Sequence, residues 1–66
     1  MNYVACFQTW NRGISRLVTG EENVARFIED SKDSFATLYT FTNLSEAEIA
    51  WDREQDMIMD RIGFGI

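Results

Sequence analysis

Apolar residues follow two kinds of pattern along this chain, and each kind predicts a different element. The segments "NYVACFQTW" and "SFATLYTFT" are rich in β-branched and aromatic residues, which is typical of strands. Between them, "NRG" predicts a hairpin turn and "ISRLVT" predicts the returning strand. Apolar residues at helical spacing then predict two helices, over about residues 20–32 and about residues 46–61.

Each predicted helix is preceded by a residue that commonly begins one. Thr19 is expected to be the N-cap of the first helix, with Glu22 as its partner in a capping box. Ser45 is expected to cap the second helix in the same way, with Glu48 as its partner. Gly63 is expected to end that helix in the left-handed conformation.

The predicted fold is a single compact α+β domain over residues 1–66, with the element order ββαβα. A right-handed crossover through the first helix places the third strand antiparallel beside the first. The result is a three-stranded antiparallel sheet of order 2-1-3, and we expect two helices packed on one face. The first strand suits the central position because Val4, Ala5, Cys6 and Phe7 form an unbroken apolar run.

The composition argues against several classes of site. The chain has one cysteine and no histidine, so an internal disulfide is impossible and a zinc site of the usual kind is excluded. Cys6 is expected to be a small buried hydrophobe. Because no catalytic, phosphate-binding or calcium-loop motif occurs, we expect no enzymatic activity, no cofactor and no metal.

Targeting signals are also missing from the sequence. The N-terminus does not have the pattern of a signal peptide, and no apolar run approaches the length of a membrane span. Together with the unpaired cysteine, these features predict a cytoplasmic protein that does not bind membranes.

Charge is distributed unevenly. The net charge is -5, and all 11 acidic residues follow residue 20, whereas Arg12 and Arg16 precede it. The first 20 residues therefore sum to +2, and the remainder to -7, from 11 acids against the other 4 of the 6 basic residues. The phosphates of nucleic acid would repel a protein with this negative net charge, so we expect no direct binding to nucleic acid. A basic protein is the favoured partner.

Four acidic residues of the second helix, which we name the acidic stripe, recur at intervals of four: Glu48, Asp52, Asp56 and Asp60. They fall within an arc of about 120°, and each step along the helix axis is about 6 Å. Each like-charge pair at this spacing costs roughly 0.2–0.5 kcal/mol. On the first helix, by contrast, Arg26 lies four residues from both Glu22 and Asp30.

Besides an acidic surface for some other basic partner, two interpretations of the acidic stripe remain open at this point. The first is a solvated surface that keeps a small protein in solution. The second is a row of carboxylates that replaces a phosphate backbone, because phosphates along one DNA strand rise by about 3.4 Å each and follow a longer curved path. A groove lined with lysine and arginine would accept such a row.

The chain resembles the small acidic proteins with which bacteriophages disarm host machinery, including anti-CRISPR proteins and other DNA mimics. The similarity lies in its length, its sequence pI of about 4.4, the lack of a catalytic motif and the segment "EAEIAWDREQDMIMD". The resemblance implies a stoichiometric inhibitor that occupies the DNA-binding groove of a CRISPR effector complex in the cytoplasm of an infected bacterium. The partner-binding residues that it implies are the acidic stripe, joined by Glu29, Asp30 and Asp33.

Two alternative functions are compatible with the same sequence. One is a small interaction or assembly module that binds its partner through apolar surface or a sheet edge. The other is an antitoxin-like protein that neutralises a small basic toxin. In every case, we expect a monomer or a weak homo-oligomer.

Overall fold

A computed structural model describes residues 3–11 and 13–61 of the chain, with residues 59–61 described by their backbone alone. The α+β class and the order of the predicted elements are confirmed, with the returning strand divided in two. Gly63 lies outside the described residues. The elements are β1 (Ala5–Trp10), β2 (Gly13–Ile14), β3 (Val18–Thr19), α1 (Glu21–Ser31), β4 (Thr37–Phe41) and α2 (Leu44–Arg61).

Strand β1 is the centre of the sheet, as its apolar run predicts. β4 pairs antiparallel with one edge of β1, and Tyr39 lies opposite Phe7. β2 and β3 both pair antiparallel with the other edge. Because β2 and β3 are two parts of one returning strand, the predicted 2-1-3 order is confirmed.

A β-bulge separates β2 from β3. Thr9 lies opposite Ile14, and Cys6 lies opposite Val18, so the register shifts by one residue between the two pairs. The extra residue falls within the segment 16–17, which lies opposite Phe7 alone. A bulge of this kind bends the strand and interrupts its ladder of hydrogen bonds.

The two helices lie on opposite faces of the sheet, so the prediction that both pack on one face is wrong. On one face, Val24 of α1 forms a buried cluster with Cys6 and Val18. On the other face, Phe7 stacks on Tyr39, with 5.0 Å between ring centroids. α2 contacts β1, β2 and β4 on this second face, where Thr9, Tyr39 and Ile58 line one cavity.

The dimensions of the molecule agree with this three-layer arrangement. The smallest principal extent is 12 Å, close to the width of three strands about 4.8 Å apart. The intermediate extent is 27 Å, which accommodates a sheet with one helix on each side. Both faces of the sheet need a covering helix because four successive residues of β1, from Ala5 to Gln8, are buried and point alternately to the two faces.

Neither helix has the N-cap residue that the sequence pattern predicts. α1 follows Gly20, which has a φ of 96° and forms no side-chain cap. Thr19 cannot serve as the cap because it belongs to β3 and pairs with Ala5. α2 begins at Leu44, and the Oδ1 atom of Asn43 accepts a hydrogen bond of 3.1 Å from the Glu46 amide, so Asn43 is the cap rather than Ser45.

Candidate protein-binding interface

One hydrogen bond fixes the rotation of α2 against the sheet. The amide of Gln8 donates to the Ser15 hydroxyl at 2.8 Å rather than to the Ser15 carbonyl. The carbonyl is therefore available beside the bulge, and it accepts a hydrogen bond of 2.8 Å from Nε1 of Trp51. Ala47 and Ile58, on the same side of α2 as Trp51, are buried. The side that carries the acidic stripe consequently faces away from the sheet.

The structure places three members of the acidic stripe in one exposed row. Glu48, Asp52 and Asp56 are all exposed. Among the described side chains, no lysine or arginine nitrogen lies within the 4.0 Å that defines an ion pair with any of them. The side chain of Asp60 lies outside the described residues. Glu48, Asp52 and Asp56 thus form a row of carboxylates that no basic side chain neutralises among those that the structure describes.

The three acidic residues of the first helical region lie elsewhere. Glu29, Asp30 and Asp33 are exposed at the end of α1, and Lys32 Nζ lies 3.1 Å from Glu29 Oε1. Because α1 and α2 cover opposite faces of the sheet, these residues do not form one continuous surface with the stripe. The structure therefore divides the predicted partner-binding residues into two separate groups.

Apolar surface borders the acidic stripe. Ile49 is 60% exposed, although it follows Glu48 directly on the outer side of α2. With Leu17 and Trp51, it lines a shallow groove of about 450 Å³ that Glu48 and Asp52 also border. This groove was not predicted from the sequence, although a signal for it was present, since Ile49 falls outside the apolar period of the helix.

A second apolar surface lies at the end of the sheet that carries the hairpin. A groove of about 930 Å³ is lined by Trp10, Phe35 and Met57, all of which are exposed. Phe35 is fully exposed and precedes β4, which begins at Thr37 rather than at Ser34, where the predicted strand "SFATLYTFT" begins.

An unsatisfied polar side chain also borders this groove. Gln8 is only 8% exposed, and its Nε2 atom has no hydrogen-bond partner among the described residues. Sequence periodicity gave no signal for it, since nothing in the pattern distinguishes a paired glutamine from an unpaired one.

The remaining candidates for chemistry offer little. Cys6 is buried, and burial raises the pKa of its thiol above the ordinary value of 9.0, so the reactive thiolate is disfavoured. Within the described residues, no group of three or more metal-binding side chains comes together. Neither helix, over the same residues, has both the length and the apolar character that crossing a bilayer requires.

Comparisons with known proteins give no match. No protein family model, no curated protein and no solved structure is similar to this chain.

Proposed function

We propose that this protein binds a basic, nucleic-acid-binding protein through the acidic stripe and thereby blocks the binding of nucleic acid. The observation that carries the proposal is the exposed row of Glu48, Asp52 and Asp56 on α2, with no basic side chain paired to it among the described residues. The protein acts as a stoichiometric inhibitor, and a CRISPR effector complex is one partner of the expected kind.

The spacing and rigidity of the row support this function. Successive carboxylates rise by about 6 Å along the helix, which is comparable to the separation of phosphates along a curved strand. The bond from Trp51 to Ser15 and the burial of Ala47 and Ile58 hold α2 in one orientation. Charges held in place before binding lose less conformational entropy when a cationic cleft grips them.

The separation of the two acidic groups narrows the proposed contact. The stripe lies on the side of α2 that faces away from the sheet, whereas Glu29, Asp30 and Asp33 lie beyond the opposite face of the sheet. Glu29 is also partly neutralised by Lys32. The stripe on α2 is therefore the proposed binding site, and Glu29, Asp30 and Asp33 are secondary to it.

A pair of charge-reversed variants tests the assignment. Asp52→Lys/Asp56→Lys and Asp30→Lys/Asp33→Lys both change the net charge from -5 to -1, but on opposite sides of the molecule. Each is immobilised and used to capture proteins from a bacterial lysate, and duplex DNA is then added to displace what is retained. We expect wild type and the α1 variant to retain DNA-displaceable proteins, and the α2 variant to lose them.

The dependence on salt provides the second measurement. Contacts between a carboxylate row and a cationic cleft weaken as salt screens them, so retention by wild type should fall steeply between about 50 mM and 200 mM salt. Equal retention by the two variants would contradict the proposal, and so would retention that DNA cannot displace.

The apolar groove of about 930 Å³ at the hairpin end of the sheet favours a second function, that of a small interaction module. Trp10, Phe35 and Met57 expose apolar surface around the buried Gln8 amide, which has no hydrogen-bond partner among the described residues. Such surface is common where a protein contacts another. In this case Met57→Ser would reduce capture, Asp52→Lys/Asp56→Lys would not, and retention would persist at high salt.

A further inference from the structure

Among the described residues, no strand pairs with the outer edge of β4. The Gln8 carbonyl accepts a hydrogen bond from the Ser15 amide, and the Gln8 amide donates to the Ser15 hydroxyl, so Gln8 and the other even-numbered residues of β1 point towards β2 and β3. The odd-numbered residues of β1 therefore point towards β4. Their partners in β4 are residues 37, 39 and 41, which leaves the amides and carbonyls of Leu38 and Thr40 directed outward.

Neither helix covers this edge. α1 packs against β3 and β1, on the far side of the sheet from β4. α2 leaves β4 through Thr42 and Asn43 and reaches across to β2. Among the described residues, β1 is the only strand that pairs with β4.

The two edges of the sheet differ in how they resist pairing. The edge formed by β2 and β3 consists of two-residue strands, is broken by the bulge and carries the exposed Arg16. Short strands, bulges and charges are the usual devices that prevent edge-to-edge association. β4 has none of them, and residues 34–45 around it contain no charged residue and no proline.

The strand is also complementary to itself. A second copy placed antiparallel about a two-fold axis through Tyr39 brings Leu38 of each copy opposite Thr40 of the other. The four outward amide and carbonyl groups of each strand then pair with those of its neighbour. The exposed Phe35 and Leu44 lie just beyond the two ends of β4, so in this arrangement Phe35 of each copy lies at the end of the strand pair that carries Leu44 of the other.

We propose that two copies of this chain associate through their β4 strands to form one continuous antiparallel sheet. The uncharged segment allows this approach in a chain whose net charge is -5. The bulged edge at the other side of the sheet stops further addition, so the product is a closed dimer rather than a fibre.

Hydrogen exchange measured by NMR tests both the association and its register. The amides of Tyr39 and Phe41 point towards β1, so they are protected in the monomer and serve as internal references. The amides of Leu38 and Thr40 have no partner strand among the described residues, so the second copy is what would protect them. We expect their exchange to slow about tenfold or more between dilute and concentrated protein, while the references change little.

Sedimentation equilibrium measures the association directly, with an expected dimer of twice 7.7 kDa. Phe35→Ser removes the apolar contact at each end and should raise the dissociation constant about tenfold or more. Thr40→Pro removes an outward amide, a change that an edge strand tolerates, and should abolish the dimer. Ile49→Ser, an equally polar change at an exposed residue of α2, should leave the dimer intact.

The effect of salt separates this proposal from the proposed function. Two copies of charge -5 repel each other, so added salt should strengthen the dimer, whereas it should weaken binding to a cationic cleft. A chain that remains monomeric at millimolar concentration would overturn the dimer, as would a dimer in which Leu38 and Thr40 exchange freely. Neither result bears on the acidic stripe.

Discussion

Gln8 shows how a single residue can oppose the stability of the fold. Its side chain is 8% exposed, and Nε2 has no acceptor among the described residues. A buried donor without a partner costs about 1–3 kcal/mol, because the water that it bound in the unfolded chain is not replaced.

Replacing Gln8 by methionine should therefore stabilise the protein. Methionine keeps the length of the side chain and removes the unpaired donor, so we expect the free energy of unfolding to rise by about 1 kcal/mol. Urea denaturation followed by circular dichroism measures the change. Gln55→Met, at a half-buried position of α2, is the control and should have a smaller effect. A loss of stability in Gln8→Met would contradict the account.

The burial of Cys6 was predicted correctly from the sequence. An apolar neighbourhood and the lack of any histidine identified it as a small core residue, and it is buried between Val18 and Val24. The sequence could not identify Gln8 in the same way, because satisfaction of a hydrogen bond depends on neighbours that the fold supplies.

At the scale of the elements, the N-cap of α2 is not the residue that the local sequence pattern predicts. The sequence pattern predicts Ser45 as the cap, whereas Asn43 lies two residues earlier. In the structure, Asn43 Oδ1 accepts a hydrogen bond from the Glu46 amide, and the Asn43 carbonyl accepts one of 3.1 Å from the Ala47 amide. Ser45 lies within the helix and its hydroxyl is not needed there.

Alanine substitutions at the two positions distinguish these assignments. Asn43→Ala removes the cap and should lower the free energy of unfolding by about 1 kcal/mol, within the usual range of about 0.5–2 kcal/mol. Ser45→Ala should change it little or raise it slightly, because alanine has the higher helix propensity. Thermal unfolding of both variants under identical conditions measures the difference. A larger loss in Ser45→Ala would restore the original prediction.

The helices themselves were predicted within one or two residues at most ends, because amphipathic spacing is a strong signal over ten or more residues. The strand β4 was predicted too long by its alternation alone. Ser34 and Phe35 precede the strand, and the Ser34 hydroxyl accepts a hydrogen bond of 3.1 Å from the Ala36 amide, which forms a local turn.

At the scale of the whole molecule, the place of a charge matters more than the net charge. Glu48, Asp52 and Asp56 repel one another along α2, whereas Glu22 precedes Arg26 by four residues in the favourable orientation. The net charge alone would predict that replacing an acidic residue by lysine raises the free energy of unfolding equally on α2 and on α1. The local arrangement predicts opposite effects.

Asp52→Lys should raise the free energy of unfolding by about 1 kcal/mol at low salt, because two repulsive pairs become attractive. Glu22→Lys makes the same change of net charge but should lower it by a few tenths of a kcal/mol or more, since it also puts a cation in the first turn of α1. Urea denaturation at several salt concentrations should show both effects shrinking as salt rises. Stabilisation by both variants would mean that overall repulsion dominates.

The sequence by itself determined the elements, their order and the central position of β1, because these depend on periodicity and on the apolar character of single segments. It also determined that Glu48, Asp52 and Asp56 share one side of α2, since helical geometry is fixed by spacing. The apolar run of β1 even contained the sign that both faces would be covered.

Only the tertiary structure decided which face each helix covers, and so which charged residues can act together. It placed Glu29, Asp30 and Asp33 away from the acidic stripe and oriented α2 through the hydrogen bond from Trp51 to Ser15 beside the bulge. It also left the outer edge of β4 without a partner strand in the described part of the chain. These features depend on contacts between segments far apart in the chain, and periodicity within a segment carries no information about such contacts.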